Sequence, residues 1–320
     1  MKITNKNLQG FIIKIIGALV IAWSLSGCSA DDVEGFFDLT PSLRTPPNDI
    51  SAVPVPSSDS SPADHEPKTE ETVIPEGAEN APTDENALYK TPDISSFTNY
   101  PNMWVKKYAG EYEKTEKTAY LTFDDGPSAN TEAILKILKD NNVKATFFVV
   151  PDEGETCASR LRAVAEEGHA IGVHSYTHNY LTVYADENAF IDDFARAYDI
   201  IVNATNKKPW LYRFPGGSVN QYNRSCRNNI KEALDKRGFE YYDWNVDSDD
   251  WRGLPAEKLC ENVAADASRF KNPVILMHDT NTRDNTVAAL DKIIKDLKDQ
   301  GYKFAPLTQQ TEPIQYGVNW

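Results

Sequence analysis

Ala119-Tyr120-Leu121-Thr122-Phe123-Asp124-Asp125-Gly126-Pro127 decides how this chain is read: a short run of strand formers ends in two carboxylates and a Gly-Pro turn. Directly after it, Ile134, Leu135, Ile137 and Leu138 crowd one face at helical spacing, and Asn130 is placed to cap that helix. The same unit then recurs. Strands are expected at 119–123, 145–150, 170–174, 211–214, 239–246, 274–278 and 302–305. Helices are expected at 131–139, 159–167, 187–205, 228–237, 255–270 and 286–300. Alternation at this frequency implies an α/β fold of parallel strands joined by crossover helices, hence a doubly wound sheet or a barrel. Seven strand candidates favour the barrel. No internal repeat is evident.

Upstream the chain has a different character. Residues 1–10 are polar and basic, and 11–25 are apolar apart from Lys14, Ser24 and the small Gly17. That run is short for a transmembrane helix, which needs ~20 apolar residues, and it predicts a signal peptide over 1–27. Residues 29–100 carry 10 of the 19 prolines, with 15 acidic and 3 basic side chains. Such a stretch buries too little apolar surface to offset its ordering entropy, so 28–100 is expected to be a disordered linker spanning roughly 45 to 50 Å. A lead-in at 101–117, a folded domain at 118–310 and a tail at 311–320 complete the expected organisation. The formal charge of −15 and a pI near 4.8 argue against nucleic acid, because phosphate binding requires a surplus of Lys and Arg.

Nearly every polar cluster follows a predicted strand, where barrels place their chemistry. In Asp124-Asp125-Gly126-Pro127, adjacent carboxylates on a tight turn point in different directions, so that one can ligate a metal while the other stays free as a base; taken alone, this piece is more often a plain turn. His174 and His178, four apart, are expected on one face of a helical turn, with Asp125 completing a set of two imidazoles and one carboxylate that leaves room for water. His65 falls in the linker, and His169 reads as a solvated turn residue. Arg213-Phe214-Pro215-Gly216-Gly217 offers a guanidinium for a bidentate carboxylate pair and a glycine whose N–H can approach a ligand closely. Asp247-Ser248-Asp249-Asp250-Trp251 and Ile275-Leu276-Met277-His278-Asp279 supply a histidine at a strand end and, in Asp250, a candidate partner that would hold it protonated.

In this order and spacing the five pieces resemble the polysaccharide deacetylase family, the NodB-homology domain, over about 118–307. The resemblance implies a distorted (β/α) barrel of about seven strands. It implies Asp124 as general base and Asp125, His174 and His178 as ligands of a divalent metal, usually zinc, with Co2+, Ni2+ or Mn2+ as alternatives. Arg213 would orient the base, Gly216 would donate its N–H to the oxyanion, and Asp250 would tune His278, the general acid. Trp251 and Leu276 would wall the acetyl pocket. Many members carry a bulky residue, often Tyr, at the position of Gly216, so one wall of the sugar subsite is missing or replaced in this chain. Trp210, Tyr212, Tyr222 and Trp244 could stack on sugar rings, but aromatic residues of a barrel are more often core.

Leu25-Ser26-Gly27-Cys28 likewise resembles a bacterial lipobox, which implies cleavage before Cys28, acylation of its thiol and anchoring on the outer side of the cell membrane. The expected activity is hydrolysis of a carbon–nitrogen bond other than a peptide bond: removal of N-acetyl groups from cell-wall polysaccharide, foremost the N-acetylglucosamine of peptidoglycan, by a monomer. An O-acetyl xylan esterase and a non-catalytic glycan-binding lipoprotein are the alternatives. Cys157, Cys226 and Cys260 permit at most one internal disulfide.

Overall fold

The computed structural model describes residues 95–317; the expected signal peptide, Cys28, His65 and the expected linker as far as residue 94 lie outside the described residues. In chain order the elements are β1 (Thr118–Asp124), α1 (Thr131–Asp140), β2 (Thr146–Val149), α2 (Glu155–Glu166), β3 (Ala170–Val173), α3 (Tyr180–Val183), α4 (Glu187–Thr205), β4 (Leu211–Tyr212), α5 (Arg227–Lys236), β5 (Glu240–Tyr241), β6 (Val246–Asp247), α6 (Ala256–Ala267), β7 (Val274–His278), α7 (Asp284–Asp299) and β8 (Lys303–Phe304). The strands pair in parallel in the order β5-β4-β3-β2-β1-β7-β6, with β8 on the start of β1. Three strand spacings separate β4 from β1, about 14 Å in a flat sheet. Arg213, just after β4, nonetheless reaches Thr122 and Asp124 of β1, so the sheet is curled into a distorted, open (β/α) barrel.

Period-two alternation sorts the side chains. On β1, Ala119, Leu121 and Phe123 join the large apolar layer under the helices, as do Phe147 and Val149 of β2 and Ile275 and Met277 of β7. The other face holds a small apolar cluster of Tyr120, Phe148, Leu211, Tyr242, Val274 and Leu307. Above it on that face the strands turn polar, at Thr122 and then Asp124 on β1 and, beyond Leu276, at His278 on β7. An apolar floor and a polar top are thus written into alternate positions of the same strands. α4 shows how a helix is fixed to this frame: Asp186 accepts from the Ala189 N–H as its cap, and Phe190, Phe194, Tyr198 and Ile201 face the sheet. Burying each such side chain is worth ~1.5–3 kcal/mol.

Several expectations need correction. The strand predicted at 239–246 is two, β5 and β6, because Asp243 interrupts it: its fully buried carboxylate accepts from the Ser218 N–H and hydroxyl and the Tyr316 N–H. No strand pairing joins β5 to β6, so the barrel is open at that seam. The expected linker boundary at residue 100 does not hold among the described residues. Ser95–Asn99 is a short 3-10 helix held by Asn188, which accepts from Ser96 N, and by Arg237, which lies 4.1 Å over the Phe97 ring and donates to the carbonyls of Tyr100 and Met103. Residue 310 is no structural boundary either, since Ile314 and Tyr316 pack against Asp243 and Trp244 at the seam. Asn130 stands at the cap position of α1 without capping it; its amide donates to Thr280 O and Asp284 Oδ1 instead. Cys157, Cys226 and Cys260 are buried free thiols.

Candidate active site

Asp125 and His178 both take left-handed backbone conformations, with φ of 73° and 49°. Such strain is held in place only by surrounding bonds, and here it turns three donor atoms toward one point. Asp125 Oδ1 lies 3.4 Å from His178 Nε2 and 3.6 Å from His174 Nε2. The histidines are not on a helical turn, as their spacing predicted; residues 174–179 form a loop after β3. That loop is bound by one carboxylate. Asp193 of α4 accepts from Ser175 Oγ, Tyr176 N, Thr177 N and Thr177 Oγ1 at 2.6–2.8 Å, and Ser175 Oγ in turn accepts from His178 N.

These residues fit a divalent cation. Asp125 Oδ1 is buried without a hydrogen-bond partner, a costly state unless a positive centre faces it. His174 Nδ1 contacts the Arg213 carbonyl at 2.8 Å, which fixes the proton on Nδ1 and leaves the Nε2 lone pair directed at the cluster. The three donor atoms lie within 4.8 Å of one another. Burial favours neutral His174 and holds its pKa below the usual value despite the nearby Asp124. Burial pushes the Asp125 carboxyl up, but His178, His278 and His174 override it and keep the group ionised. His174 is 3% exposed and His178 32%, so the cluster opens on the His178 side.

Asp124 is turned differently. Its Oδ1 accepts from Arg213 Nη1 at 2.8 Å, while Oδ2 lies 3.8 Å from His174 Nε2 and accepts no hydrogen bond among the described residues. Arg213, fully buried, makes this one bond to the carboxylate rather than the bidentate pair its chemistry predicted. Its other donors reach Thr122 Oγ1, Tyr242 O and Asp243 O at 2.8–3.0 Å, and Phe148 lies 4.2 Å beneath the guanidinium. A buried cation with its donors satisfied in this way is a rigid post for the Asp124 carboxylate.

Across the β1–β7 pair, Asp124 and His278 stand in register. His278 Nδ1 is 2.6 Å from Asp250 Oδ1, and Asp250 Oδ2 accepts from the His278 N–H and the Thr286 hydroxyl. Burial opposes a charge on the imidazole, but the Asp250 charge and hydrogen bond prevail and raise its pKa to about 10. For Asp250 burial again acts upward, and the His278 charge holds the carboxyl below its usual range. The pair is therefore an imidazolium with its carboxylate, and Nε2–H is a proton donor.

Trp251 follows Asp250 in a 3-10 turn, with its Nε1 3.4 Å from Asp247 Oδ2. Leu276 pairs with Asp247 and Thr122 and, though buried, joins neither apolar cluster. Gly216 has φ 72°, and its N–H donates to no acceptor among the described residues. Apart from Leu276 in the middle of β7, each site residue expected between 124 and 278 lies at or beyond the carboxyl end of a strand. Of the aromatics, Tyr212 is core and Trp244 packs on Tyr316, whereas Tyr222 lies edge-on to Tyr180.

Four contributors escaped the sequence reading. Asp193 carried a usable signal, an acid among the core-facing residues of α4. Thr122 did too, as a polar residue inside a strand. Asp279 accepts from Ser128 Oγ and Thr131 Oγ1 and so braces the turn after Asp125, but its bonds are to residues about 150 positions away. Tyr180, whose ring is 5.4 Å from that of His178, gave no signal. Burial and the Asp125 and Asp124 charges raise its pKa to about 12.

Comparison with known proteins agrees with this geometry. The family model described as polysaccharide deacetylase matches residues 111–234. A peptidoglycan-N-acetylglucosamine deacetylase of Bacillus cereus is 35% identical over 210 residues, 63% of this chain and 74% of the relative. Among solved structures, the catalytic domain of a peptidoglycan N-acetylglucosamine deacetylase from Eubacterium rectale superposes with a TM-score of 0.62 at 33% identity, covering 66% of this chain and 98% of that one. A polysaccharide deacetylase from Bacillus cereus gives 0.57 at 34% identity over 63% and 98%. With motifs, curled sheet and aligned relatives in agreement, this chain is a hydrolase that belongs to the polysaccharide deacetylase family.

Proposed function

We propose that the protein is a metal-dependent peptidoglycan N-acetylglucosamine deacetylase, releasing acetate and leaving a free amine on the sugar. One observation carries this reading: the unpartnered Asp125 Oδ1 and two imidazole Nε2 atoms converge beside the Asp124 carboxylate, which stands in register with the Asp250-paired imidazole of His278 across β1 and β7. A non-catalytic glycan binder needs neither of the last two groups. The names of the Bacillus cereus and Eubacterium rectale relatives support the choice of sugar.

Asp125, His174 and His178 would hold the cation, with zinc expected from two imidazoles and one carboxylate. Bound there, it supplies Lewis acidity that polarises the acetyl carbonyl and acidifies water. Asp124 takes the proton from the attacking water on Oδ2, because Oδ1 is engaged by Arg213. Gly216 N–H donates to the oxygen that gains charge as the carbonyl carbon becomes tetrahedral. An amide nitrogen leaves poorly unless protonated. His278 Nε2 delivers that proton, Asp250 stabilises the imidazolium until it does, and Trp251 and Leu276 shelter the acetyl methyl. Arg213 and Asp250 are positioning residues.

Export by residues 1–27 and a lipid anchor at Cys28 would set this domain beside the wall at the end of its linker. Palmitate-analogue labelling of cells, lost in Cys28→Ser, tests the anchor. The chemistry is tested by acetate release from N-acetylglucosamine oligomers and from acetylated xylan, with and without chelator. The oligomer is expected to be the better substrate, with activity lost to chelator and restored by zinc. Asp124→Asn should lower kcat ~10²- to 10⁴-fold with zinc still bound; equal turnover by the variant defeats the assignment.

A further inference from the structure

A side chain at Gly216 would have nowhere to go. A Cβ built there lies 2.9 Å from the Tyr180 hydroxyl oxygen and 3.2 Å from Cζ, so the end of the Tyr180 ring already fills the space in which that side chain would begin. The contact is braced from several directions. The Asn179 side chain caps α3 by accepting from the N–H groups of Leu181 and Thr182. Tyr180 packs 5.2 Å from Tyr222 and 6.2 Å from Tyr184, one helical turn on. The Tyr184 hydroxyl donates to Pro215 O at 2.8 Å, tying α3 to the turn that carries Gly216. Tyr180 therefore cannot swing away from Gly216 without disturbing its packing on Tyr222 and on Tyr184, the residue that closes its own helix.

The same ring sits 5.4 Å from the ring of His178, on the side where the metal-ligand cluster is most open. Its body is half-buried, and its hydroxyl forms no hydrogen bond with the described residues. A phenol held by its ring with an unspent donor at the rim of a polar cleft is suited to a polyhydroxylated ligand, which offers an apolar ring face and acceptor oxygens together.

Resting on the deacetylase reading above, we infer that Tyr180 is a specificity-determining residue: from α3 it supplies the wall of the sugar subsite that Gly216 leaves out, and its hydroxyl donates to an oxygen of the bound N-acetylglucosamine unit. The wall thus comes from the segment following His178 instead of from the Arg213–Gly217 turn, and Gly216 is required small because Tyr180 occupies its place.

The test uses the zinc-loaded protein and two substrates: an N-acetylglucosamine oligomer, and para-nitrophenyl acetate, which presents an acetyl group without a sugar. Tyr180→Phe keeps the ring and should raise KM for the oligomer about fivefold with little change in kcat, the effect of one neutral hydrogen bond. Tyr180→Ala should lower the oligomer-to-ester ratio of kcat/KM by about tenfold or more, wall and donor being lost together. Zinc content is measured for each. An unchanged oligomer KM in Tyr180→Phe removes the hydroxyl's role. An unchanged ratio in Tyr180→Ala overturns the proposal, as does loss of zinc from Tyr180→Phe, since the residue would then act through His178. If the wild type cleaves the ester and acetylated xylan but not the oligomer, the deacetylase reading has failed instead, and the xylan-to-ester ratio puts the same question to Tyr180.

Discussion

Replacing Asp250 by Asn keeps the shape of the side chain and removes its charge, and the consequence can be worked from the pair it forms with His278. In the native protein burial would lower the imidazole pKa, and the 2.6 Å contact with Asp250 raises it to about 10. Without the carboxylate only burial and more remote charges remain, so the pKa should return to ~6.5 or below. At pH 8 the protonated share then drops from nearly complete to ~3%, about a 30-fold loss of general acid, whereas at pH 6 the protonation effect is under ~2-fold. The loss in kcat/KM on N-acetylglucosamine oligomers should therefore be roughly 20 times greater at pH 8 than at pH 6. Nuclear magnetic resonance titration of the His278 ring supplies the pKa directly. Stability follows the same linkage. His278 is raised above its unfolded value, so its contribution is full below ~6.5 and disappears as pH rises through about 10, and the stability gap between wild type and variant should close over that window. A loss equal at both pH values, or a ring still titrating near its native value, would falsify the assignment of Asp250.

The remaining expectations are more local. Asp193→Ala strands four donors of the histidine loop and should cost about 3 kcal/mol in urea unfolding and weaken zinc binding ~10- to 100-fold; normal zinc affinity would show that the loop holds itself. Gly216→Ala forces a left-handed Cβ against Tyr180 and should cost ~1–2 kcal/mol, less in a Tyr180→Ala background; equal costs in both would deny the contact. Chelation followed by zinc at ~1,000 times its Kd should restore about 4 kcal/mol, a shift of roughly 10 °C in Tm; Asp125→Ala should abolish that shift.

Strand–helix alternation made the barrel legible, and all six predicted helices are present within a few residues of their expected ends. Where the reading failed, a tertiary partner decided the matter. The 239–246 run looked continuous because its aromatics outweigh one Asp, yet burying Asp243 with Ser218 and Tyr316 breaks the strand. The histidine spacing was right and its conformation wrong, since a loop shaped by a distant Asp193 brings the two rings as close as a helical turn would. Linker composition hid Ser95–Asn99 because its order comes from Arg237 and Asn188 rather than from its own residues. Convergence of Asp124 with His278 lies beyond any local pattern, for the neighbouring bond from Thr122 to Ile275 already closes 153 positions.

The seam has a bearing on biogenesis. Domains generally begin to fold as they leave the ribosome, amino-terminal part first, but here β1 acquires one neighbour from β7 and another from β8, and Ile314 to Tyr316 cover the gap beside Asp243. Asp124 emerges early in synthesis and His278 late, so a nascent polypeptide cut short before residue 278 holds only one of the two groups that the proposed proton transfers require.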